Sequence, residues 1–271
     1  MAVITLMTDF GIKDGNVGVM KGVIWSICPD VQIADLSHVV GAQNIREAGL
    51  VLARSVPYFP KDTIHVVVVD PGVGTKRRLM AARIGDWYYV GPDNGIITFL
   101  LELANQEKWP CEFIDLDKPQ YWLKNVSYVF HGRDIFSPVA AHLATGVPFA
   151  KLGTAFSDPV QIQLPHPEKF DLGWHGEIIH IDHFGNLASN IRVENLGEAV
   201  RQKENIIVRF NGIVIKGMVD TFGERPIGDV IALLGSTGNL IVSVVNGNAA
   251  ATLGVKVGEP IDALIPSKGK I

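Results

Sequence analysis

The residues best placed to do chemistry stand in the stretch Val66-Val-Val-Val-Asp70-Pro-Gly-Val-Gly-Thr-Lys-Arg77-Arg78. The valine run reads as a buried strand. It stops at a carboxylate, a proline, two glycines and two arginines. In open α/β sheets, ligands sit just beyond the carboxyl ends of the strands. Asp70 therefore stands where a reacting group is useful, with a guanidinium one short loop away. Asp70-Pro-Gly is also the chemistry of a turn that ends a strand, and this stretch alone leaves both readings open.

Three more polar clusters fall at predicted element ends. Thr8-Asp9-Phe10-Gly11, followed by Asp14-Gly15, leaves the first strand. A carboxylate at Asp9 can accept two hydrogen bonds from a ribose diol, and Asp14 is expected to cap the next helix. No Gly-x-Gly-x-x-Gly or P-loop follows, so no phosphate cradle is indicated. Phe130-His131-Gly132-Arg133-Asp134 sets a histidine at the mouth of a helix. Such a histidine can activate water, make a polar contact or be structural, and Arg133 and Asp134 pair or cap. The last cluster is His180-Ile-Asp182-His183-Phe-Gly185-Asn186, with Gly235-Ser236-Thr237-Gly238 and Asn246-Gly247-Asn248-Ala249-Ala250. On a strand, positions 180 and 182 face one side and 183 the other, so no metal site is expected. Ser236-Thr237-Gly238-Asn239 reads by default as a hairpin turn.

These clusters need a scaffold, and the chain supplies two patterns. Strand-like runs at residues 3–7, 31–36, 63–69, 80–84, 87–90 and 111–116 alternate with helices. The helices are marked by Val17, Met20, Ile24 and Ile27 before Pro29, by Asn44 as a cap leading towards Pro57, and by residues 97–105 and 134–144. That alternation predicts a three-layer α/β domain over residues 1–165. Residues 157–167, with three prolines and little periodicity, read as a linker. Beyond Gly173 short β-rich runs at 176–181, 206–210, 214–218, 230–234 and 240–245 are separated by turns such as Asn211-Gly212. They predict a smaller antiparallel, barrel-like β domain over 171–271.

Composition narrows the function. With 271 residues, 47% of them hydrophobic, the chain can bury a substantial core. A formal net charge of −4 argues against a nucleic-acid protein held by phosphate contacts. No apolar run reaches membrane-spanning length and no basic region precedes the first strand, so a cytoplasmic protein is expected. Cys28 and Cys111 are expected to be reduced there, and no CxxC pair is present.

Taken together, the motifs from Thr8-Asp9-Phe10-Gly11 to Asn248-Ala249-Ala250 resemble the S-adenosylmethionine (SAM) hydroxide adenosyltransferase family, relatives of the SAM-dependent fluorinases and chlorinases. Motif order, spacing and the two-domain layout agree over nearly the whole chain. The resemblance implies that Asp70, Arg77 and His131 position and activate a water, with Arg77 chosen over Arg78 on spacing. It implies that Asp9 holds the ribose hydroxyls, and that Asp182 and Ser236 bind the amino-acid end of SAM. Asn186 and the backbone at Ala249, next to Asn248, would then meet the adenine. SAM is the substrate, adenosine and methionine the products, and no cofactor is implied. The family forms trimers, with the ligand between one subunit's α/β domain and the next subunit's β domain. The halogenating relatives carry tyrosine at the position of Asp70, a halide-binding threonine at that of Val73, and an insertion where this chain has only Gly85-Asp86. Their ligand-contacting tryptophan is replaced by Gln43. The first three differences favour water over halide. The alternative from another class is a SAM or adenosine sensor that barely turns over.

Overall fold

Residues 66–69 are apolar at every position because both faces of their strand are covered. In the computed structural model, which describes residues 2–265, Val66 and Val68 enter one apolar cluster and Val67 and Val69 another. Side chains alternate across a strand, so a strand buried on both sides loses the usual apolar–polar alternation. The chain divides into two compact units, one running to Leu164 and the other starting at Pro165.

The first unit runs β1 (Val3–Thr8), α1 (Asn16–Ile27), β2 (Gln32–Ser37), α2 (Ile45–Ser55), β3 (Ile64–Val68), β4 (Leu79–Ile84) and β5 (Trp87–Pro92). It continues with α3 (Thr98–Glu107), β6 (Cys111–Asp115), a π-helical turn over Gly132–Phe136, α4 (Ser137–Ala144) and β7 (Thr154–Phe156). The sheet order is β2-β1-β3-β5-β4-β6-β7. Strands β2, β1, β3 and β5 are parallel, so the segments that follow β1, β2 and β3 emerge at one edge. Strands β4, β6 and β7 are antiparallel additions. Met20 and Ile24 of α1 and Val139 of α4 pack with Ile4 and Leu6 on one face. Leu52 of α2 and Leu100 and Ala104 of α3 pack with Met7 on the other. This is the three-layer arrangement. Truncating Leu6 or Ile24, both fully buried, to alanine costs about 2–5 kcal/mol.

Asn44 caps α2, its side chain accepting from Glu47 N at 3.0 Å. Asp14 does not cap α1. The cap position is Gly15, and no side chain accepts there. The helix expected from residue 134 begins instead as the π-helical turn, which a 3.6-residue apolar period does not distinguish from α.

The second unit runs β8 (Glu168–Phe170), β9 (Gly173–Ile181), β10 (Leu187–Arg192), α5 (Val193–Leu196), β11 (Ile207–Phe210), β12 (Ile213–Lys216), β13 (Val230–Leu234), β14 (Asn239–Val244), α6 (Ala249–Leu253) and β15 (Pro260–Leu264). Its strands form one antiparallel series, β12-β11-β15-β9-β10-β14-β13, with β8 added on β9. Val219 N donates to Ala232 O at 3.0 Å, which brings the two ends of that series towards each other. The unit is therefore barrel-like. Strand β10 escapes a pattern reading because Ser189 and Asn190 are buried in it. Ser189 Oγ donates to Leu240 O at 2.8 Å, and Asn190 Oδ1 accepts from Glu177 N at 2.8 Å. The strand-alternation argument for 180, 182 and 183 also fails. β9 ends at Ile181, and Asp182 and His183 belong to the turn that follows.

Candidate active site

Asp70, Arg77 and His131 meet at the edge where the segments after β1 and β3 emerge. Arg77 Nε donates to Asp70 Oδ1 at 2.8 Å, and Arg77 Nη2 donates to Asp70 Oδ2. The same Nη2 lies 3.0 Å from His131 Nδ1. Side-chain exposure is 4% for Asp70 and 9% for Arg77, and His131 is buried. A guanidinium only donates, so His131 Nδ1 accepts and the imidazole proton sits on Nε2. Burial lowers the His131 pKa below 6.5, and the Arg77 charge lowers it further, against opposing pulls from Asp70 and Asp134. Arg77 Nη1 is also buried and finds no acceptor among the described residues. The guanidinium lies 5.5 Å from the centre of the Phe136 ring. The cluster thus presents two donors, Arg77 Nη1 and His131 Nε2–H, beside a carboxylate already engaged by the arginine. Such a set stabilises an oxygen that carries negative charge.

Local sequence explains the convergence. Val73 N donates to Asp70 O at 3.2 Å and Thr75 N to Gly72 O at 3.1 Å, folding the loop back so that Arg77 reaches Asp70. Gly74 sits at φ +77°, and a Cβ there would come within 2.3 Å of Tyr128 O. Only glycine lets this loop lie against the segment leading into His131. Arg78 goes elsewhere, with Nε 2.7 Å from Asp93 and Nη1 2.7 Å from Asp158. Arg133 and Asp134 pair, Nε to Oδ1 at 2.6 Å, and neither acts as a helix cap.

Asp9 stands beyond β1, its Oδ2 accepting from Gln43 N at 2.8 Å. Phe10 and Phe130 pack edge to face at 5.7 Å, so the Asp9 loop adjoins the residue before His131. In the second unit, Asp182 Oδ1 accepts from the backbone N of Phe184 and Asn186, each at 2.9 Å, and Oδ2 from Asn186 Nδ2 at 2.7 Å. Gly185, at φ +83°, lies so close to Asn248 that a Cβ would overlap its side chain. Asn248 Oδ1 caps α6, accepting from Ala251 N at 2.8 Å, and Ala249 is fully buried. Asp182, Asn186, Asn248 and Ala249 therefore gather at one end of this unit. Ser236 does not join them. It is exposed in the β13–β14 turn, at the other end of β14, roughly 20 Å away at the strand rise per residue. Within one copy of this unit, Asp182 and Ser236 do not meet.

Among the described residues, no three His, Cys, Asp or Glu side chains gather as a metal site, and no helix is long and apolar enough to cross a membrane. Residues 4–153 match the SAM hydroxide adenosyltransferase N-terminal domain, and residues 176–262 match the C-terminal domain of the same family. The chain belongs to the SAM hydroxide adenosyltransferase family. It is 38% identical to the (R)-S-adenosyl-L-methionine hydrolase of Salinispora tropica, over 94% of this chain and 95% of that one. It is 36% identical to the protein of the same name from Thermus thermophilus, over 97% and 100%. A crystal structure of an uncharacterized conserved protein from Thermotoga maritima superposes with a TM-score of 0.88 at 33% identity, covering 97% of this chain and 100% of that one.

For a SAM hydroxide adenosyltransferase, the supporting roles of two residues escape sequence reasoning. Asp134 is fully buried, accepts from Ser127 N at 2.8 Å and, through its carbonyl, from Leu123 N at 2.8 Å. It thereby fixes the loop that carries the Tyr128 carbonyl to Gly74. Asn94 Nδ2 donates to Val69 O at 3.0 Å, holding the residue before Asp70. The carboxylate within a His-Gly-Arg-Asp run was the available signal for Asp134. Asn94 offered none, because its partner is a backbone carbonyl distant in sequence.

Proposed function

We propose that this protein hydrolyses SAM to adenosine and L-methionine. The observation that carries the proposal is the buried Arg77 with Nη1 unpaired, next to a neutral His131 that presents Nε2–H. An oxygen held between these donors attacks C5′ of SAM in line with the sulfonium. The new C5′–O bond forms as the C5′–S bond breaks, and the bonding pair returns to sulfur as the neutral thioether of methionine. The leaving group needs no general acid. Water is a poor nucleophile, and both facing groups are donors, so the site favours a hydroxide-like oxygen over extracting a proton from bound water. The proton passes to solvent. One such donor lowers the barrier by about 3 kcal/mol, and positioning in line lowers it further.

In this reading Asp9 holds the ribose hydroxyls, Asp182 the ammonium of the amino-acid end, and Asn186 with the backbone at Ala249 the adenine edge. Ser236 takes no part in the Asp182 contact. No cofactor is required, because SAM is consumed. A homotrimer belongs to the proposal: it is supported by the family and by the division of binding residues between two units. A cytoplasmic location goes with two free cysteines. The test is chromatography of the products after incubation with SAM. Adenosine and methionine in equal amounts support the proposal. S-adenosylhomocysteine as main product, or tight binding without conversion, rejects it. Added chloride or fluoride gives no halo-nucleoside, since Val73 offers no hydroxyl.

A further inference from the structure

We infer that His38 is a positioning residue for the ribose-holding carboxylate of Asp9, fixing the Asp9 loop through the buried hydroxyl of Thr8. The inference rests on the proposed reading of Asp9 as the ribose contact. His38 lies between β2 and α2 and grips the Asp9 loop at two points. Its Nδ1 is 3.0 Å from Thr8 Oγ1, and its carbonyl accepts from Gly11 N at 2.6 Å. Thr8 is fully buried, and its hydroxyl accepts from Phe10 N at 3.2 Å. On the ring's other side Nε2 faces a carboxylate oxygen of Asp35, which only accepts, so the imidazole proton sits on Nε2 and Nδ1 accepts from the Thr8 hydroxyl.

The outer side of the ring is held as well. His38 Nε2 lies 3.0 Å from Asp35 Oδ1, close but off the line of an ideal hydrogen bond. Lys21 Nζ donates to the other oxygen, Asp35 Oδ2, at 2.7 Å. Burial raises the Asp35 pKa, but the hydrogen bond from Lys21 and the close His38 ring outweigh it and bring the carboxyl below its usual value. A fixed, ionised Asp35 therefore orients the imidazole from behind. Asp9 sits between the two held points. Its Oδ2 takes the N–H of Gln43, a residue strained into φ +61°, while Oδ1 accepts from none of the described residues. A carboxylate held on one oxygen and open on the other is arranged to accept from a vicinal diol. The chain Asp35–His38–Thr8 gives that carboxylate a fixed direction.

The test separates positioning from mere folding. Inhibition by adenosine is compared with inhibition by 2′-deoxyadenosine, alongside KM and kcat for SAM. The wild type prefers adenosine on the order of tenfold, the scale of a hydrogen bond to a charged acceptor. His38→Gln keeps a donor towards Asp35 but loses the acceptor for Thr8. It drops the preference to about threefold or less and raises KM about tenfold, with kcat within about threefold. His38→Asn puts an amide oxygen near the place of Nδ1 and keeps the wild-type preference. Thr8→Val repeats the His38→Gln result and Thr8→Ser restores the preference, which keeps the test decisive if one histidine variant does not fold. Equal preference in wild type and His38→Gln overturns the inference, as do equal defects in His38→Gln and His38→Asn. A wild type indifferent to the 2′-hydroxyl overturns it too. A wild type that prefers adenosine but converts no SAM overturns the proposed reaction instead, and the positioning of Asp9 is then read by calorimetric binding of the same two nucleosides.

Discussion

Replacing Arg77 with alanine will cost stability and activity by separate routes, and the two can be measured apart. Asp70 and Arg77 form a two-point ion pair with side chains only 4% and 9% exposed. Removing one partner of such a pair leaves an uncompensated buried charge, a loss of about 3–5 kcal/mol. That is a large share of a total stability of about 5–15 kcal/mol. Removing both partners relieves the stranded charge. Asp70→Ala/Arg77→Ala is therefore more stable than the sum of its single variants predicts, by about 2–3 kcal/mol. Activity follows a different rule. Each single change lowers kcat about 10²- to 10³-fold, the cost of a lost transition-state donor. The double variant is no worse than the poorer single, because both act on one oxygen. SAM affinity changes much less. Stability is read by urea unfolding followed through tryptophan fluorescence, since Trp25, Trp87, Trp109 and Trp122 all lie in the first unit. Arg78→Ala disturbs the pairs with Asp93 and Asp158 and leaves kcat in place. Additive stabilities, or an active Arg77→Ala beside an inactive Arg78→Ala, would refute the reasoning.

Two titrations and an assembly test extend the account. In wild type, His131 titrates below 6.5 by NMR, and Arg77→Ala moves its pKa upward because a cation that disfavours imidazolium is gone; an unmoved midpoint contradicts the contact. His65, buried against Thr5 and Phe59, has its pKa lowered to about 4 by burial. The unfolded chain takes up that proton near 6.5 and the folded chain only near 4. Stability is therefore whole above 6.5 and falls as pH drops to 4, by about 3 kcal/mol. His65→Gln removes that share of the acid loss, and an unchanged pH slope rejects it. Inactive Asp70→Ala and Asp182→Ala proteins, unfolded and refolded together, regain activity if sites are shared between subunits. No recovery, or a monomeric mass in light scattering, rejects the trimer.

The α/β unit was legible because its strands are apolar on both faces and its helices carry caps and breakers, as at Asn44 and Pro29. The meeting of Asp70, Arg77 and His131 was legible only through family resemblance, since a loop closing at Gly74 leaves no periodic trace. The π-turn at Gly132 and the buried polar strand β10 rest on side-chain hydrogen bonds that an apolar pattern does not carry. The π-turn is closed by a side chain five residues on, Ser137 Oγ donating to Gly132 O, and β10 by bonds to Glu177 and Leu240 on other strands; apolar periodicity records neither. The β run read at 176–181 ends where β9 ends, and Asp182's own turn hydrogen bonds take it off the strand, so alternation does not decide which way its carboxylate faces. His38 gave no signal, since a histidine 30 residues from the hydroxyl it orients looks like any surface histidine.

The central claim is that an oxygen from solvent displaces methionine at C5′ of SAM. The most direct measurement is turnover of SAM in oxygen-18 water with mass analysis of both products. The account predicts the label in the 5′-hydroxyl of adenosine and none in methionine. Unlabelled adenosine, or label in methionine, contradicts it.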